Sequence, residues 1–113
     1  MDFSLSDEQR MLQDTVDRLI ADKYGFEQRN GYMKQEQGFD PQMWNQYAEL
    51  GLLGVPFPED VGGFGGGAVE AMVVMEAFGK GLILEPYVAS VLTSGILVAE
   101  AGSDAQKEAV IEP

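Results

Sequence analysis

The sequence predicts an all-α protein, an orthogonal or up-down bundle of about five to six helices with short connections. Three observations predict it. Apolar residues recur at intervals of three and four, as helices with a buried face require. Helix-start chemistry repeats along the chain, with Ser6 and Gln9, Asp40 and Pro41, and Ser103 and Gln106. No stretch has the alternation or regular turn spacing of a strand-rich or repeat architecture.

Ser6 opens the first helix, with Gln9 placed to complete a capping box and with Asp7 and Glu8 at the positive end of the helix dipole. Leu12, Val16, Leu19 and Ile20 form its apolar stripe, while Gln13, Asp14 and Asp17 lie off it. Asp14 precedes Arg18 by four residues, a weakly stabilising pair, and the helix is expected to run to about Lys23. Residues 25–38 allow a short helix anchored by Phe26, Tyr32 and Met33, weakened by Gly31.

The next start signal is sharper. Asp40 caps and Pro41 takes the first helical position, where its missing N–H costs nothing. Trp44, Tyr47 and Ala48 mark the expected buried face. Gly51 ends the helix in a left-handed conformation, and Leu52 and Leu53 fold back on the last turn. Residues 55–58 are expected to be extended, because Pro56 and Pro58 bar helix and disfavour it just before them. Gly62, Gly63, Gly65, Gly66 and Gly67 then make a turn-rich loop.

Two helices follow, over roughly 68–78 and 86–100. Val69, Met72, Val73, Val74, Met75 and Phe78 surround the first almost completely. Val88, Val91, Leu92, Ile96, Leu97 and Val98 do the same for the second. A helix apolar all round needs cover all round, so further protein is expected to sit on both. Gly102 ends the second, and Ser103 with Gln106 begins a last helix cut short at Glu112-Pro113.

A chain of 113 residues reads as one domain. Its 19 acidic and 7 basic residues give a net charge of −12. Phosphate backbones and anionic membranes are therefore excluded as partners, since both are bound through clustered Lys and Arg. The absence of cysteine removes disulfides and thiolate chemistry, and the absence of histidine removes Ser-His-Asp catalysis and the usual zinc sites. The start, Met1-Asp2-Phe3-Ser4-Leu5-Ser6, lacks the basic and apolar regions of a signal peptide. No apolar run approaches the ~20 residues of a membrane span. The expected location is cytoplasmic.

Candidate chemistry is sparse, and no catalytic residue or metal ligand set emerges. The run Gly63-Phe64-Gly65-Gly66-Gly67-Ala68 fits the loose dinucleotide pattern G-x-G-x-x-A, but the preceding segment is too short and proline-rich for the strand that pattern needs. A structural turn is the simpler reading. Gly79-Lys80-Gly81 lacks the Ser or Thr and the upstream spacing of a phosphate loop. Glu59 and Asp60 are neighbours in a proline-rich turn, where carboxylates seldom converge on one bond. The methionines, among them Met72 and Met75, read as core packing. Ala89, Ser90 and Thr93 interrupt the apolar face of the 86–100 helix. Close helix packing, helped by Gly95, is one reading; a slot for an apolar ligand chain is the other.

Several runs resemble the acyl-CoA dehydrogenase family. They are Phe3-Ser4-Leu5-Ser6-Asp7-Glu8-Gln9-Arg10-Met11-Leu12; Gly38-Phe39-Asp40-Pro41 with Trp44 and Ala48-Glu49-Leu50-Gly51-Leu52-Leu53-Gly54; Met75-Glu76-Ala77-Phe78-Gly79; and Ala101-Gly102-Ser103-Asp104-Ala105-Gln106-Lys107. The most specific is Val55-Pro56-Phe57-Pro58-Glu59-Asp60-Val61-Gly62-Gly63-Phe64-Gly65, where the family has Pro-Glu-Glu-Tyr-Gly-Gly-x-Gly and Val61 replaces the tyrosine. Leu84-Glu85-Pro86-Tyr87 is similar to members acting on dicarboxylic or ring-bearing acyl groups.

The resemblance implies that residues 1–113 are the helical N-terminal domain of a larger subunit, ending before a central β-domain and a C-terminal helical bundle. FAD would sit between those later parts, where a glutamate removes the α-proton and hydride passes to the flavin. No cofactor or catalytic residue is then expected in this chain. Ala89, Ser90 and Thr93 would face the acyl pocket, and Pro58, Glu59, Gly62 and Gly63 would be a structural signature. The implied partners are an acyl-CoA thioester, the remaining domains or a flavoprotein subunit, and further copies in a homo-oligomer. The rival reading is a free-standing, non-catalytic helical subunit docked on a separate flavoprotein.

Overall fold

A computed structural model describes residues 3–111. Among them are six α-helices and no strand: α1 (Asp7–Lys23), α2 (Phe26–Met33), α3 (Pro41–Glu49), α4 (Ala68–Gly81), α5 (Ile96–Ala101) and α6 (Asp104–Val110). Single 3-10 turns cover Leu52–Gly54 and Glu59–Val61, and a π-helical segment, Val88–Gly95, leads directly into α5. The expected all-α class is the observed one. The sequence end at Glu112-Pro113 lies outside the described residues.

Residues 1–40 and 72–84 form one compact unit. Ser6 caps α1: Gln9 N–H donates to the serine hydroxyl at 3.2 Å, and Ser6 N–H donates to Gln9 Oε1 at 2.8 Å. Val16 and Leu19 are its buried stripe, while Leu12 and Ile20 are half-buried. Val73, Val74, Ala77 and Phe78 supply the buried face of α4 in this unit. Gly81 lets the chain close on α1, since a Cβ there would lie 2.8 Å from Ile20.

Helix α2 contradicts its expected anchors. It has no buried residue, and Phe26 is 81% exposed. It is held by polar contacts instead. Gly25 N–H donates to Gln28 Oε1 at 2.8 Å, Arg29 Nε donates to the Leu82 carbonyl at 2.6 Å, and the Tyr32 hydroxyl donates to the Lys23 carbonyl at 2.7 Å. Helix α4 runs three residues past its expected end, to Gly81. Leu82 then adopts φ 53°, the left-handed position that usually takes glycine, and Ile83 N–H returns to the Phe78 carbonyl at 3.1 Å.

Residues 41–71 and 85–113 form the second unit. In α3 the buried residues are Met43 and Tyr47; Trp44 is half-buried and Ala48 exposed, so the buried face is rotated from the one expected. Gly51 has φ 79°, as anticipated, and Leu52 is buried below it. Val55 is not extended: it continues the 3-10 turn at φ −52°, ψ −49°. The bias against helix before proline is modest, and burial of Val55 and Phe57 outweighs it. Pro58, at φ −60° and ψ 153°, is extended as expected.

Candidate functional site

The glycine loop folds back on the turn before it. Phe64 N–H donates to Gly54, Gly65 to Phe57 and Gly66 to Val55, all carbonyl acceptors at 2.8–3.0 Å, and Gly63 N–H donates to the Pro58 carbonyl at 3.0 Å. Gly67 N–H donates to Glu70 Oε2 at 2.8 Å and so caps α4. A phosphate cradle needs these N–H groups free and convergent; here they are spent within the chain. The loop therefore does not fit the pyrophosphate of a dinucleotide. Two of its glycines are required by closeness: a Cβ on Gly63 would lie 2.1 Å from the Phe57 carbonyl oxygen, and one on Gly66 2.5 Å from that of Val55.

Two tyrosines connect α3 and its turn to the segment before the π-helix. The Tyr47 hydroxyl donates to Glu85 Oε1 at 2.7 Å, and both residues are buried. The Tyr87 hydroxyl donates to the Leu52 carbonyl at 2.7 Å. Burial pushes the Tyr87 phenol above its ordinary pKa of about 10. The sequence reading did not single out Glu85 as a structural anchor. Its signal is a lone carboxylate in the otherwise apolar run Leu82 to Tyr87.

The second unit also carries an open groove of about 840 Å³, lined by Trp44, Ala48, Leu50, Leu53, Phe57, Phe64, Val91 and Ile111 among others. Gly95 belongs to its wall and touches Phe57, whose ring would lie 2.5 Å from an added Cβ. Of the three sequence candidates, only Ser90 lines the groove. Ala89 and Thr93 are solvent-exposed and, four residues apart, share a different face of the π-helical segment. That segment was expected to be ordinary helix. Its wider winding departs from the common form and is often found where a helix serves a site. Val91 and Gly95 are buried, but Val88 is 49% and Leu97 65% exposed. Pro58, Glu59 and Gly62 are also exposed, and Gly62 has φ 87° at the end of the second 3-10 turn. Among the described residues no group of three or more His, Cys, Asp or Glu could hold a metal ion, and no helix is long and apolar enough to cross a membrane.

A helical fold with a proline-glycine turn and two tyrosine anchors defines a class, and comparison identifies the family. Residues 6–113 match the model of the acyl-CoA dehydrogenase N-terminal domain, and the chain belongs to that family. Acyl-CoA dehydrogenase IpdE2 of Mycobacterium tuberculosis is 32% identical over 101 residues, covering 88% of this chain and 32% of the relative. The ChsE4-ChsE5 complex from Mycobacterium tuberculosis superposes with a TM-score of 0.86 at 28% identity, over 99% of this chain and 32% of that one. A variant of the Tcur3481-Tcur3483 steroid ACAD gives 0.85 at 26% identity, over 96% and 31%. The chain thus spans about a third of the length of these relatives.

Proposed function

We propose that residues 1–113 serve as the N-terminal helical domain of an FAD-dependent acyl-CoA dehydrogenase-like oxidoreductase. The reaction is α,β-dehydrogenation of an acyl-CoA thioester in the cytoplasm. In this reading catalysis lies outside the chain; among the described residues the glycine loop spends its N–H groups internally and cradles no flavin. FAD and the proton-abstracting carboxylate belong to the rest of the enzyme. This chain contributes a wall of the acyl pocket and the contacts that hold the other domains. The match of residues 6–113 to the family's N-terminal domain carries the reading.

The wall is the face of Ala89 and Thr93, with Ser90 at its edge. Small side chains exposed on the π-helical segment leave room for an acyl group in the assembled enzyme. A steroid ACAD among the similar structures, together with the Leu84-Glu85-Pro86-Tyr87 run, favours a bulky, ring-bearing acyl group. Pro58, Glu59, Gly62 and Gly63 shape the turn and touch no substrate. The similar ChsE4-ChsE5 structure is a complex of chains. An assembly that buries exposed Val69, Met72, Val88 and Leu97 fits that precedent and includes further copies of this chain.

The test is Ala89→Phe in the full-length enzyme. It is expected to raise KM for a ring-bearing thioester more than about tenfold and to leave a short straight-chain one within about threefold. Equal effects on both thioesters would contradict the assignment.

A further inference from the structure

Among the described residues Glu85 is the one buried side chain of the polar and charged types, at 5% exposure. A carboxyl in an apolar interior carries a desolvation cost that a leucine there would not. What it offers in return is a directional bond. Tyr47, fully buried on α3, donates its hydroxyl to Glu85 Oε1 at 2.7 Å. Two residues on, Tyr87 N–H donates to the Glu85 carbonyl at 2.8 Å, and the Tyr87 hydroxyl donates to the Leu52 carbonyl at 2.7 Å. The head of the π-helical segment Val88–Gly95 is thus tied to α3 and its turn, and its tail rests on Phe57 through Gly95. Between these ties lie Ala89 and Thr93, both exposed. A π-helix is seldom sustained beyond a turn, so a segment of eight residues wound this way depends on its fixed ends. A return to 3.6 residues per turn would rotate Thr93 about the axis relative to Ala89.

We propose that Glu85 and Tyr47 are positioning residues for selectivity. Their hydrogen bond holds the head of the π-helical segment in the winding that presents Ala89 and Thr93 together, and so sets the shape offered to a ring-bearing acyl group. This role rests on the acyl-wall assignment. Neither residue touches the substrate, because both side chains are buried within the second unit. A short straight chain fills little of the wall and tolerates a change in its angle, whereas a ring system placed against it does not.

The test measures KM and kcat of the full-length enzyme for a ring-bearing and a short straight-chain thioester. Glu85→Leu and Tyr47→Phe are each expected to raise KM for the ring-bearing thioester at least about fivefold, with kcat and the straight-chain KM within about twofold. Glu85→Gln keeps a carbonyl oxygen for the Tyr47 hydroxyl and is expected to stay within about twofold for both thioesters. The double change Tyr47→Phe, Glu85→Leu is expected to lose no more than the larger single change, since the two residues share one bond. Tyr47→Phe removes only the hydroxyl oxygen and decides the question if Glu85→Leu does not fold. A lowered denaturant midpoint with an unmoved ratio of the two KM values overturns the positioning role. So do equal losses for both thioesters, or a Glu85→Gln loss as large as that of Glu85→Leu. If Ala89→Phe discriminates between the thioesters while Tyr47→Phe and Glu85→Leu do not, the positioning role alone fails. If Ala89→Phe affects both thioesters equally, the acyl wall fails and the positioning role with it.

Discussion

Tyr47 and Tyr87 each carry one hydroxyl into an apolar interior and spend it on one acceptor, Glu85 Oε1 and the Leu52 carbonyl. Deleting either hydroxyl removes a buried hydrogen bond, so Tyr47→Phe and Tyr87→Phe should each cost about 1–3 kcal/mol by denaturant unfolding. Tyr87 also sets an alkaline limit. The unfolded chain releases this proton near pH 10, and the folded chain holds it to higher pH because burial disfavours the phenolate. Above pH 10 the folded state binds more protons, so stability is full below that pH and falls as pH rises beyond it. Denaturant midpoints at pH 9 and 11 should show this fall in the parent, and Tyr87→Phe should lose the Tyr87 part of it. Glycines divide by surroundings. Gly63→Ala drives a Cβ into the Phe57 carbonyl and should destabilise by more than about 2 kcal/mol, whereas Gly79→Ala, with open space around it inside α4, should stabilise by about 0.5–1 kcal/mol. The glycine cluster was legible as a turn; which glycines are obligatory depends on carbonyls several residues away, which no local pattern displays.

At the scale of elements, start signals read well because they are local. Both capping boxes are present, Ser6 with Gln9 and Ser103 with Gln106. Ser103→Ala should therefore weaken α6 by about 1 kcal/mol, seen as faster amide exchange in that helix. Elements set by tertiary contact read poorly. Helix α2 has no apolar stripe to find, being fixed by Arg29 and Tyr32 through long-range or backbone acceptors. Val55 obeys its burial rather than its proline neighbour, and Met43 rather than Ala48 faces the core. The π-helical winding of Val88–Gly95 has no composition signature. Gly95 allows it to lie on Phe57, and Gly95→Ala should cost about 1–3 kcal/mol through displacement of that ring. The slot candidates were legible as small residues in an apolar helix. Their division between two faces was not, because the winding decides which side chains align.

For the whole molecule, class and family were legible because a run of motifs in fixed order is hard to reach by chance. The expectation of outside cover for the two apolar helices meets a structure in which Val69, Met72, Val88 and Leu97 remain exposed. Exposed apolar groups on a chain spanning about a third of its relatives' length are what support the proposal that it works within an assembly. The most direct measurement is made on the native polypeptide that carries these residues, purified and scanned in the visible range before and after addition of an acyl-CoA thioester. The account predicts flavin bands that bleach as the thioester is dehydrogenated. A colourless native polypeptide that leaves the thioester unchanged would contradict it.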